Sequence, residues 1–74
     1  MTPYIVKFNH FEDGIAQPEV MYLCLHADSL RSAAERFWSM LGGVGLPNTL
    51  ISVKDDRFEY FYDKGTGRFT VIPS

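Results

Sequence analysis

One stretch of this chain has the spacing of a one-faced helix, and no other stretch does. Over residues 28–43, apolar side chains fall at Leu30, Ala33, Ala34, Phe37, Trp38, Met40 and Leu41, the i, i+3, i+4, i+7 repeat of a single buried stripe. Arg31, Ser32, Glu35 and Ser39 lie largely on the opposite side. Asp28 or Ser29 can accept bonds from the free amides of the first turn, and Gly42 can close the last turn in the left-handed conformation. A lone helix with one apolar face has to be covered, and the strand-like segments on either side are the only material available.

Those segments predict the rest of the fold. Residues 4–8 form a first strand, with Tyr4, Val6 and Phe8 on the core face because Lys7 belongs to the other. Residues 9–18 contain Asp13-Gly14 and Pro18 and read as a loop. Residues 19–27 form a second strand, with Met21, Leu23, Leu25 and Ala27 turned to the helix. The alternate set, Val20, Tyr22, Cys24 and His26, is semi-buried or a contact surface. Residues 42–48 read as a helix stop and connector; their glycine spacing fits neither a P-loop nor a dinucleotide fingerprint. Three short strands follow at 49–54, 57–63 and 68–72, with turns at Asp55-Asp56 and Lys64-Gly65-Thr66-Gly67.

The order β-β-α-β-β-β predicts one α+β domain over residues 1–74. Its core is a five-stranded antiparallel sheet with one helix packed on one face, leaving the other face without a covering helix. An exposed edge, expected at the first or last strand, allows two copies to pair, so monomer and homodimer both stay open.

At 74 residues the chain is near the lower limit for a self-supporting core. Six Phe, four Tyr and one Trp are more aromatics than such a core hides easily, which points to a surface that meets a partner. The net charge of −2 and the absence of a basic run disfavour a module that lives on phosphate contacts. Cys24 is the single cysteine, so neither an internal disulfide nor a C-x-x-C metal framework is possible. The longest apolar run, residues 20–25, is far too short for a membrane span, and no secretory signal opens the chain; the expectation is a cytoplasmic protein.

Residues with reactive chemistry are scattered. His10, His26 and Cys24 have no partners at catalytic or metal-ligand spacing. Glu12-Asp13 and Asp55-Asp56 suit solvated turns better than a calcium loop. The expectation is therefore no catalytic residue, no metal, no cofactor and no enzyme activity. Phe58, Tyr60, Tyr62, Tyr22 and Phe69 either build ordinary core or form a stacking platform for single-stranded nucleic acid. Arg31, Arg36, Lys54, Arg57, Lys64 and Arg68 are the charges expected to share a region, as a polar rim for a protein or ribonucleoprotein. With Glu35, Tyr22 and Tyr60 they make up the candidate partner-binding set.

Three stretches carry a resemblance. The opening Tyr4-Ile5-Val6-Lys7, the helix entry Ala27-Asp28-Ser29-Leu30-Arg31-Ser32-Ala33, and the ending Tyr62-Asp63-Lys64-Gly65 with Arg68-Phe69 are similar to small phage-encoded anti-CRISPR proteins that block type I surveillance complexes. The resemblance covers about a quarter of the positions. It implies a five-stranded antiparallel sheet with one helix, and an inhibitor that docks on the complex in the host cytoplasm and blocks binding of target DNA. One member carries basic residues after the shared alanine that help contact the backbone subunits; this chain has Ala34 and Glu35 there, so that contact does not carry over, and Arg31 and Arg36 are the substitutes on offer. The order of strand, glycine turn, strand and helix also resembles antitoxins with a partial ribonuclease-H-like fold, although those append a DNA-binding segment that this chain lacks.

Overall fold

In a computed structural model, the chain is described over residues 1–13, 15–40 and 49–73. Five strands and one helix follow in the order β1 (Thr2–Glu12), β2 (Ile15–Ala27), α1 (Leu30–Met40), β3 (Leu50–Lys54), β4 (Phe58–Asp63) and β5 (Arg68–Pro73). All neighbouring strands pair antiparallel, in the spatial order β2-β1-β3-β4-β5. The α+β class with the order β-β-α-β-β-β is what the hydrophobic pattern predicts. The first strand, however, is not an edge. β2 and β3 both pair with β1, so they run parallel to each other with β1 between them. A parallel pair cannot be joined by a tight turn, and α1 is the crossover that carries the chain over the sheet. The edges are β2 and β5.

Residues 9–18 are not a loop. β1 continues to Glu12 and β2 begins at Ile15, leaving only Asp13 and Gly14 between two paired residues. Asp13 has φ 52°, the left-handed conformation that a two-residue hairpin turn needs and that Asp tolerates. Pro18 is accommodated because the register shifts here: Gln17, Pro18 and Glu19 have only His10 opposite them. The segments on both sides of Asp13-Gly14 thus remain strand. The predicted connector at 42–48 falls outside the described residues.

The helix begins one residue after its cap. Ser29 Oγ accepts the Ser32 amide at 3.1 Å, and the Ser29 carbonyl accepts the Ala33 amide at 2.9 Å. Ala33, Ala34 and Phe37 are its buried residues. They meet Tyr4, Val6, Leu25, Ala27, Leu50 and Val53 of the sheet, with Phe8, Leu23, Leu30 and Trp38 packed at the margin. Small side chains in both layers, Ala27 below and Ala33 and Ala34 above, let the helix lie close to the strands. Phe37 then fills the space over Phe8, ring centroids 4.9 Å apart. Met21, expected on the helix-facing side of the second strand, and Met40, expected in the helix's apolar stripe, stay 42% and 58% exposed. Met21 sits on the edge strand with no neighbour outside it, and Met40 ends the described helix.

Beyond the helix, aromatics cover the far strands. Trp38 meets Tyr62 edge-on at 5.6 Å, and Tyr62 packs on Phe69 at 5.2 Å. Phe58 and Tyr60 form a further edge-on pair at 6.1 Å. The Trp38 Nε1 hydrogen is buried with no hydrogen-bond partner among the described residues.

Because Phe37 is fully buried and Tyr22 points away from the helix, their truncations should separate cleanly. Phe37→Ala should lower unfolding free energy by about 3–5 kcal/mol, whereas Tyr22→Ala should stay within about 0.5 kcal/mol of the parent, both measured by urea denaturation.

Candidate docking face

A strand turns alternate side chains to opposite faces, so the residues paired in register with Lys7 and Ile5 share the face that lacks the helix. One row across the sheet reads Tyr22, Lys7, Ser52, Phe61 and Thr70. The next reads Cys24, Ile5, Lys54, Glu59 and Ile72. Val20, opposite Asn9, extends the surface toward the hairpin. Tyr22 is 66% exposed, and Ile5, Val20 and Ile72 are each close to half exposed. Phe61 is half-buried and Cys24 is an exposed free thiol.

Polar groups at the centre of this face satisfy one another. Ser52 is fully buried, and its hydroxyl donates to Glu59 Oε2 at 2.7 Å. That bond satisfies the buried Ser52 hydroxyl, and the same face carries Lys7, Lys54 and Arg68 against Glu59 and Asp63. The chain as a whole is acidic, so this side is more basic than the average of the molecule.

The predicted partner-binding residues are not brought together. Lys54 and Arg57 flank the β3–β4 connection at one end of the sheet; Lys64 and Arg68 flank the β4–β5 turn at the other. Arg31, Glu35 and Arg36 are exposed on the helix. Glu35 and Arg36 line a shallow open depression of about 350 Å³ with Asp28, Ser32, Ser39 and Met40. Arg36 is already engaged there, its Nη1 donating to the His26 carbonyl at 2.9 Å. Arg57 lies over the Phe58 ring at 5.7 Å.

The aromatic platform is also divided. Phe58, Tyr60, Tyr62 and Phe69 share the helix side, where Trp38 and one another cover them, while Tyr22 is on the bare side. Alternation along β4 puts Phe58, Tyr60 and Tyr62 together as expected, but that face is the packed one. Ile5, Phe61 and Ile72 were the residues to add to Tyr22; the signal for them was the same alternation, read from the face left over.

Among the described residues no group of three or more His, Cys, Asp or Glu side chains could hold a metal ion. No helix among them is long and apolar enough to cross a membrane. His10 Nε2 lies 3.3 Å from Glu12 Oε1 near the hairpin tip. No family model, no curated protein and no solved structure matches the chain.

The best-ordered electrostatic device is structural. Asp55 Oδ1 accepts the Phe58 and Arg57 amides, each at 2.8 Å, and Oδ2 lies 3.5 Å from the Tyr60 hydroxyl. These backbone bonds, the Phe58 amide foremost, hold the Asp55 carboxyl below its ordinary 3.8. Burial, with the Asp55 charge behind it, pushes the Tyr60 phenol above its ordinary 10.0. A carboxyl bound more tightly as its anion stabilises the fold above the ordinary value, and that contribution disappears as pH falls through the lower folded value. Asp55→Asn should therefore lower the urea midpoint at neutral pH and flatten its decline on the acid side of 3.8, measured as midpoint against pH.

Proposed function

We propose that this chain is a small non-enzymatic binding protein that docks the bare face of its sheet onto a large protein or ribonucleoprotein partner. The observation that carries the reading is the exposure of Ile5, Val20 and Tyr22, adjoining on β1 and β2, with Ile72 further across on β5, on a sheet face that no second layer covers among the described residues. Phe61 adds a half-buried aromatic on β4, and Lys7, Lys54 and Arg68 are cations interspersed on the same face.

The resemblance at the first strand, the helix entry and the last turn supplies a particular target. On that reading the chain is phage-encoded, acts in the host cytoplasm, and occludes the surface where a type I CRISPR surveillance complex receives target DNA. A second reading, a binder of single-stranded nucleic acid, is favoured by Tyr22 and Phe61 lying on the same face as Lys7. The acidic balance of the whole chain weighs against it.

The test is a binding assay with purified components. The chain should co-elute with a type I surveillance complex and suppress its gel shift of target DNA. Ile5→Asp, with an unchanged far-ultraviolet dichroism spectrum, should weaken both effects by about tenfold or more. An unaltered gel shift without co-elution removes the CRISPR target. Full potency of Ile5→Asp removes the bare face as the contact, and saturable binding of a free oligonucleotide supports the second reading.

A further inference from the structure

We propose that the outer edge of β2 is a self-association site, at which a second copy of this chain pairs antiparallel about Tyr22. The direction of the backbone groups follows from two bonds. The Asn9 amide donates to the Thr49 carbonyl at 2.8 Å, so the odd-numbered residues of β1 turn their hydrogen-bonding groups toward β3. Their partners across the other ladder, Val20, Tyr22, Cys24 and His26, therefore turn theirs away from β1, to the open edge. At His26 this is seen directly: Arg36 reaches over the edge to its carbonyl.

That edge is guarded at both ends and nowhere between. Toward the hairpin stand Glu19, Pro18 and the register shift, devices that discourage strand addition. Toward the helix the Arg36 guanidinium occupies the His26 carbonyl. The window between, Val20 to Cys24, has no charge, no proline and no bulge, and its outward backbone groups sit at Val20, Tyr22 and Cys24. The other edge, β5, has Arg68 at its start and Pro73, which lacks an amide hydrogen, at its end, and leaves a shorter window, Phe69 to Ile72, between them.

The occupant is a second copy because the uncharged window, paired antiparallel with itself, sets no like charges, proline or register shift against one another. A two-fold axis at Tyr22 sets Tyr22 opposite Tyr22 and Val20 opposite Cys24. All three outward positions are then used, for about six backbone bonds, with no like charges opposed. Centring the axis on Cys24 instead would demand the His26 carbonyl that Arg36 holds. The product is one continuous ten-stranded sheet whose bare faces adjoin at Val20, Tyr22 and Cys24. An edge contact of this size is small, so the pairing is concentration-dependent. It does not depend on the identity of any foreign target.

Sedimentation equilibrium across a wide concentration range tests it. The mass should rise from 8.5 kDa toward twice that value. Tyr22→Lys sets two ammonium groups face to face and should hold the chain at one copy throughout, with its dichroism spectrum unchanged. Register is read by crosslinking: under mild oxidation Val20→Cys should give a covalent dimer through Cys24, and the Val20→Cys, Cys24→Ser double variant should not. A mass that stays at one copy overturns the proposal. So does a Tyr22→Lys protein that doubles like the parent, or a Val20→Cys protein that pairs without crosslinking.

Discussion

Everything in this molecule depends on Phe37 lying across the first two strands. Among the described residues one helix is available to seal a five-stranded sheet, and one helix covers one face. The sealed side gathers Val6, Leu50, Val53 and Phe37, all fully buried, around the alanines that bring the layers close. The helix does not reach the far strands, so Tyr62, Phe69 and Trp38 continue the cover with ring-on-ring contacts. The other side is left to side chains that tolerate water incompletely.

That asymmetry is the source of any docking function. Apolar residues on the bare side are set in a rigid ladder by the same backbone bonds that hold the core, so they need no ordering on contact. Ser52, fully buried at the centre, is satisfied by the Glu59 carboxylate. The edge of β2 continues the same surface outward, joining a face suited to side-chain contact with an edge suited to backbone pairing.

Much of this was legible in the residues. The helix and its Ser29 cap, the five strands, and the core faces of β1 and β4 follow from periodicity and turn chemistry. The hairpin at Asp13 was less visible, because Pro18 and the polar residues around it look like a long loop. Only the tertiary register, with three residues facing His10, shows how a strand absorbs them. The place of β1 in the middle of the sheet was also hidden, since pairing with β3 is a contact across the whole helix. Charges proved the hardest to place: Lys54 and Lys64 look like neighbours along the sequence, and antiparallel strands send their turns to opposite ends.

The central claim is that the helix seals one face of the sheet around β1 and β3 while the opposite face stays open, and hydroxyl-radical footprinting of the free chain reads this residue by residue. The account predicts rapid modification of Ile5, Tyr22 and Ile72 beside strong protection of Val6 and Phe37. Protection of Ile5 and Ile72 as strong as that of Phe37, undiminished on dilution, would mean that a second layer covers the face, and would contradict it.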